Sequence, residues 1–221
     1  MSFFSKKYFQ FFSELEKNNN KMWFDENRTA YEKNAREPFK AFVQEILNMM
    51  AKDDNTIFTN ASKSIFRINR DIRFSKDKTP YKLNMAATFG RGSTTDMRPS
   101  CYLHLGVKEL FLGGGMYQLD KEQLAKVRQE IFYNPKEFRS AITTKAFKEF
   151  YGELQGEKNV KLSPEYKEFA VEQPLIANKQ FYTMAKLTQK QVLSDDFDKL
   201  VLAHFKALKP LNNFLHKSLA S

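Results

Sequence analysis

The sequence predicts an α+β fold in which an antiparallel-rich central sheet, over about residues 57–119, is flanked by N-terminal and C-terminal helices. Three observations carry this. Apolar residues recur at helical spacing up to about Lys52. From Ile57 to Leu119 they give way to short alternating runs of β-branched and aromatic residues punctuated by glycine, and beyond Leu119 the helical spacing returns. Helices, then strands, then helices is the α+β order. No internal repeat or long linker interrupts the 221 residues, so one domain spanning 1–221 is expected, with helical layers at 3–52 and 120–219.

Phe4, Tyr8, Phe11, Phe12 and Leu15 share a helical face, and Asn18-Asn19-Asn20 breaks the pattern, which predicts a helix over about 3–18. A second helix begins near Asn20, with Trp23, Phe24, Asn27 and Tyr31 on one face. After Pro38, which suits a first helical turn, Phe39, Phe42, Val43, Ile46, Leu47 and Met50 continue the stripe as far as the Asp53-Asp54-Asn55 loop. Strands are expected near 64–74, 84–90, 100–107 and 110–118. The last two read as a hairpin through Lys108-Glu109, although that dipeptide is not a glycine-containing turn. Asp120 caps a helix carrying Leu124, Val127 and Ile131, and Pro135 opens a short one through Phe138 and Ile142. A polar connection over 152–164, a further strand near 181–187 and two helices at 195–208 and 211–219, parted by Pro210, complete the chain.

With 42% hydrophobic residues, 22 Phe and 9 Tyr, an aromatic-rich core is expected and extensive disorder is excluded. The net charge of +10 favours phosphorylated ligands, nucleic acid or anionic surfaces as partners. A single cysteine, Cys101, excludes an intramolecular disulfide and a multi-cysteine metal site. Lys6, Lys7 and Gln10 break the apolar start in a way a signal peptide would not, and no run reaches the roughly 20 apolar residues of a membrane span. A cytoplasmic protein, with no membrane association, is the expectation.

The stretch RINRDIRFSKDKTPYK, residues 67–82, concentrates the chemistry. Between Lys63 and Lys82 seven basic residues stand against Asp71 and Asp77, a net +5 and half the charge of the whole chain. Read as a strand, it places Phe66, Ile68, Ile72 and Phe74 on one face and Ile65, Arg67, Asn69, Asp71 and Arg73 on the other, with Arg70 the lone charge on the apolar face. The spacing of Ile65, Ile68 and Ile72 also admits a helix; the strand is preferred because the segment is short and runs into the turn-forming SKDKTP. Guanidinium forks match carboxylate or phosphate, so these residues could hold one another or a ligand. The excess of cations over local carboxylates favours an external anion held by Arg67, Arg70, Arg73, Lys78 and Lys82. Thr79 before Pro80 is expected to be extended, fixing Tyr81 and Lys82. Asp71 as a general acid or base, with Tyr81 or Lys78 as an electrophile, are the catalytic candidates; no complete catalytic signature assigns a reaction or establishes that the chain is an enzyme.

The pattern RxxRDxRFxxDKxxY, filled by Arg67, Arg70, Asp71, Arg73, Phe74, Asp77, Lys78 and Tyr81, resembles the signature of a widespread bacterial and fungal domain-of-unknown-function family of similar length. NNNKMWFDENRTAYE before it, LFLGGGMYQ after it and the helical C-terminal part are similar to that family's layout. The resemblance implies one domain over nearly the whole chain and brings no assigned activity.

Elsewhere, Gly113-Gly114-Gly115 lacks the Lys-Ser/Thr of a P-loop and reads either as an anion-binding turn or as a strand kink where another element packs closely. Gly90-Arg91-Gly92 reads as a turn. His104, His204 and His216 form no metal-ligand spacing, so no metal or cofactor is expected. Cys101 reads as a buried, inert thiol. Trp23, Asn27 and Arg28 either border a cleft or, for Trp23, join the core. Three functions follow: an anionic small-molecule site, a nucleic-acid-binding module without a recognised motif, or a structural or interaction protein whose motif is an ion-pair network that secures the fold.

Overall fold

A computed structural model describes residues 2–95 and 98–220. Its elements are α1 (Lys6–Lys17), α2 (Lys21–Glu26), α3 (Arg28–Tyr31), a π-helical turn (Glu32–Arg36), α4 (Glu37–Asp53), α5 (Ala61–Ser64), β1 (Asn84–Gly90), β2 (Ser100–Gly106) and β3 (Leu110–Met116). There follow α6 (Lys121–Tyr133), α7 (Pro135–Thr143), α8 (Lys145–Tyr151), α9 (Pro164–Phe169), a 3-10 turn (Pro174–Ala177), β4 (Phe181–Lys186), α10 (Gln189–Val192) and α11 (Phe197–Ala220). The strands form one antiparallel sheet in the order β1-β2-β3-β4, with helices before and after it in the chain, which is the expected α+β class. The chain divides into two compact units. The first holds the N-terminal part to Thr95 together with Tyr102–Leu112 and Lys186–Leu202; the second holds the other described residues, chiefly Gly113–Ala185 and the chain from Ala203 onward.

In the first unit the core is aromatic, as the composition requires. Phe39, Phe42, Val43, Ile46 and Leu47 line the buried stripe of α4, and Phe42 stacks on Phe197 at 5.0 Å while Phe4 packs against both rings. Tyr8 of α1 is fully buried and donates its hydroxyl to the Leu105 carbonyl at 2.8 Å, satisfying the one polar atom its burial would strand. The helical path runs through Pro38 and does not restart there. Proline lacks an N–H, and its ring crowds the carbonyl four residues back. The π turn just before it, closed by the Glu37 N–H on the Glu32 carbonyl, widens the helix where that crowding falls.

Residues 64–74 are not a strand. Ile65 pairs with Ala87 and Asn69 with Tyr81 only through isolated antiparallel bridges, supported by bonds from Phe66 N to Ala86 O, Arg70 N to Pro80 O and Lys82 N to Ile68 O. The chain folds back on itself at 71–79 because Asp71 and Asp77 each accept from a backbone N–H two residues on, that of Arg73 and Thr79 respectively. This local bond competes with a ladder and bends the backbone. Phe74, expected on the buried face, is consequently 96% exposed. The hairpin through Lys108-Glu109 forms, with Gly106 N–H donating to Glu109 O at 2.9 Å.

In the second unit Asp120 and Gln123 make a reciprocal capping box at the start of α6, and Pro135 occupies the first turn of α7. Pro210 does not divide the C-terminal helix: α11 continues through it, since burial of Leu208, Leu211, Phe214 and Leu215 on either side outweighs one missing backbone hydrogen bond. The Gly113–Gly115 run lies inside β3 as a site of close approach. A Cβ on Gly114 would stand 2.6 Å from the Ser100 carbonyl, and Gly115 takes φ +103, so side chains are excluded here for packing reasons. Cys101 is buried, and that burial pushes its thiol well above the ordinary range.

Gly114→Ala is expected to destabilise the protein by about 1–3 kcal/mol in chemical denaturation through overpacking. His204, 5% exposed against Phe150 and Tyr151, has an unpartnered Nδ1, and burial lowers its pKa to about 4. The unfolded chain therefore binds this proton first. Stability is full above the unfolded value near 6.5 and falls by up to about 3 kcal/mol as pH drops towards 4; His204→Gln should remove that part of the pH dependence in urea titrations.

Candidate functional site

A cleft of about 440 Å³ opens in the first unit between the helical path α2–α4 and the folded-back arms of the arginine motif. Phe24, Tyr31, Ile68, Tyr81 and Met85 form its buried apolar floor, and Arg28, Arg36, Lys40 and Arg67 stand on its walls with Glu32 as the carboxylate among them. Tyr81 is stacked on Phe24 at 4.0 Å, and its backbone is clasped by one side chain: Asn19 accepts from Tyr81 N at 3.1 Å and donates to Tyr81 O at 2.9 Å. Among the described residues the Tyr31 hydroxyl donates only to the Met85 sulfur, at 3.6 Å, a weak acceptor for a buried phenol. Its pKa is raised to about 12 by burial.

The cations differ in how far they are already committed. Arg36 engages both oxygens of Glu32 through Nη1 at 3.0 and 2.8 Å, and Arg28 gives one bond to Asp25 at 2.7 Å while lying over the Phe24 ring. Each guanidinium has five N–H groups, so both keep donors for the cleft. Arg67 has no carboxylate within ion-pairing distance and makes no hydrogen bond among the described residues.

The structure separates the residues that the motif places together in sequence. Arg67 and Tyr81 line the cleft; Arg70, Asp71, Arg73, Lys78 and Lys82 do not. Arg70, the charge on the apolar face, contacts the Asp77 carboxylate and the Thr79 hydroxyl and also donates to the Thr79 carbonyl at 3.2 Å. Arg73 holds both oxygens of Asp71 at 3.0 and 2.7 Å, and Lys78 Nζ donates to the Ile72 carbonyl at 2.9 Å. Asp71 is exposed, and the Arg73 side chain holds its pKa below the ordinary carboxylate value, which weakens it as a base. The Thr79 N–H, then Arg70, then the Thr79 hydroxyl lower Asp77 to about 2. Lys82 is half-buried with its amine 5.7 Å from the centre of the Phe66 ring.

Arg36, Lys40, Glu32 and Tyr31 escape a reading centred on the motif, because they lie in another part of the chain. The available signal was the spacing of Phe24, Arg28, Glu32, Arg36 and Lys40, every fourth residue. Steps of four overshoot an α-helical turn by about 40° each. The wider π turn offsets that drift and keeps the row on one side. Trp23, by contrast, packs at 5.9 Å against Phe11 and does not line the cleft.

Over residues 7–214 the chain matches a family model described as a conserved hypothetical protein, DUF2461, and it belongs to that family. No match was found among curated proteins. No helix among the described residues is long and apolar enough to cross a membrane, and no cluster of three or more His, Cys, Asp or Glu side chains there could hold a metal ion.

Arg70→Met should loosen residues 71–79 while leaving the rest folded, seen as faster amide exchange confined to that loop and a global loss of no more than about 1–2 kcal/mol. Because Asp77 is depressed to about 2, its contribution is complete above the unfolded carboxylate value near 4 and is lost only as pH falls towards 2.

Proposed function

We propose that the protein binds a small anionic molecule, bearing a phosphate or carboxylate, in the cleft between α2–α4 and the arms at 65–69 and 80–82. The observation that carries this reading is Arg67, a guanidinium on the cleft wall with no carboxylate partner among the described residues, in a lining where four cations, itself included, meet one acid. Such a set lacks negative charge, and an anion supplies it. Arg28, Arg36 and Lys40 add donors from the opposite wall, and the Tyr31 hydroxyl adds one from the floor. On this reading the 70–79 loop, with Arg70, Arg73 and Lys78 engaged locally, holds the Arg67 arm in place, so the ion-pair network and the ligand site are complementary parts of one segment. A cleft of this volume suits a metabolite-sized ligand, which is why the small molecule is preferred to nucleic acid.

Thermal shift with inorganic phosphate, pyrophosphate, nucleotides, simple carboxylates and a short oligonucleotide tests the reading. A ligand at 100 times its Kd stabilises by about 2.7 kcal/mol, a rise of roughly 5–10 °C for a chain of this size. Arg67→Ala is expected to weaken binding by about 10–100-fold, the worth of a charged hydrogen bond, without lowering the melting temperature of the unliganded protein. Added salt should weaken it further. Absence of a shift with every small anion, or equal binding by Arg67→Ala, would refute the proposal; a shift with the oligonucleotide alone would transfer it to nucleic acid.

A further inference from the structure

The cleft changes from charged to apolar with depth. Arg28, Arg36, Lys40 and Arg67 are exposed on its walls, whereas Phe24, Tyr31, Ile68, Tyr81 and Met85, each at most 8% exposed, line its floor. The floor is chiefly aromatic, and its rings converge on Phe24. Tyr81 stacks on that ring at 4.0 Å, Tyr31 meets it at 5.1 Å in a tilted pair, and the Arg28 guanidinium lies 5.5 Å from its centre. Met85 adds a thioether beside the Tyr31 hydroxyl, a polarisable group that favours contact with aromatic rings.

A compact anion such as inorganic phosphate answers the charge of the walls and leaves this floor in water. Apolar surface is driven out of water in proportion to the area removed, so the molecule that fills the whole cleft carries an apolar body below its charge. Rings already arranged in stacked and tilted pairs accept a further flat ring in offset or edge contact, a gain beyond area alone. The volume of about 440 Å³ accommodates a ring with its anionic substituent. We infer that the ligand of the cleft is an aromatic anion, an aryl carboxylate or aryl phosphate, whose ring lies on the floor around Phe24, Tyr81 and Met85 while Arg67 and the opposite cations hold its charge. This rests on the anion-binding reading above and adds the body of the molecule to its head group.

Matched ligands separate the two parts. Affinities of acetate, benzoate, cyclohexanecarboxylate, benzyl alcohol, inorganic phosphate and phenyl phosphate are measured by titration calorimetry, with the Met85 methyl followed by NMR in protein carrying labelled methionine and assigned through Met85→Leu. Benzoate should bind about 10–100-fold tighter than acetate, and phenyl phosphate likewise over phosphate, with a negative heat-capacity change. Cyclohexanecarboxylate should be about 2–10-fold weaker than benzoate, and uncharged benzyl alcohol about 10–100-fold weaker. Benzoate should displace the Met85 methyl signal by its ring current far more than acetate does. Arg67→Ala should weaken the anions alike and preserve the ratio of benzoate to acetate, while Phe24→Leu should shrink that ratio and leave acetate unchanged. The head group is assigned by whichever of benzoate and phenyl phosphate gains more over its ringless counterpart. Acetate and phosphate binding as tightly as the aryl anions in the wild type, or benzoate binding without moving Met85, overturns the inference and leaves the anion cleft standing. Cyclohexanecarboxylate matching or exceeding benzoate overturns the aromatic class. Benzyl alcohol matching benzoate, or no binding by any anion, overturns the cleft reading and this inference together.

Discussion

The cleft depends on one side chain amide. Asn19 sits between α1 and α2 and spends both its donor and its acceptor on the backbone of Tyr81, 62 residues away. That pair of bonds, with the Phe24–Tyr81 stack directly beside it, joins the helical path to the returning arm of the arginine motif. Each neighbour in the asparagine run has a separate task. Asn18 ends α1, and the Asn20 side chain caps α2 by accepting from Trp23 N. Three consecutive asparagines thus stop one helix, anchor a distant loop and start the next helix, uses that suit a short side chain able both to donate and to accept.

The motif divides its charges by position along the fold-back. Within 70–78, Arg70 is spent on Asp77 and Thr79, Arg73 on Asp71 and Lys78 on a carbonyl. These exposed ion pairs carry little stability individually. Their effect is conformational, because Asp71 and Asp77 use backbone N–H groups as well as arginines and so set the bend. The residues flanking the loop keep their charge uncommitted, Arg67 at the cleft and Lys82 over Phe66. With Asp71 and Asp77 engaged by Arg73 and Arg70, the local excess of +5 rests on Lys63, Arg67, Lys76, Lys78 and Lys82, and of these Arg67 lines the cleft.

Helical geometry supplies the opposite wall. The row Arg28, Glu32, Arg36, Lys40 stays aligned because a π turn interrupts the α-helix, and that turn lies immediately before Pro38. One backbone adjustment thus relieves a proline and orients four charged side chains. Backbone irregularity at a row of functional-looking groups is a recurring association of π turns.

Much of the architecture was legible in sequence. Periodicity determined α1, the α4 stripe, the 181–186 strand and the β2–β3 hairpin, because each buries one face and a burial pattern is a local property of the chain. Caps at Asp120 and Pro135 were equally readable. The 64–74 segment was misread since its alternation of apolar and charged residues is real, yet side-chain bonds to its own backbone outcompeted a ladder. Pro210 was misread because burial on both sides, which is tertiary, outweighed a local breaker. For the site, the sequence by itself determined which residues are rich in charge and that Arg67 and Lys82 belong to one segment. Only the tertiary structure decided which of those charges are satisfied and which face a cleft. Pairing of a cation depends on carboxylates brought near it in space, and Tyr31, Arg36 and Lys40 lie too far from the motif in sequence for any spacing rule to join them.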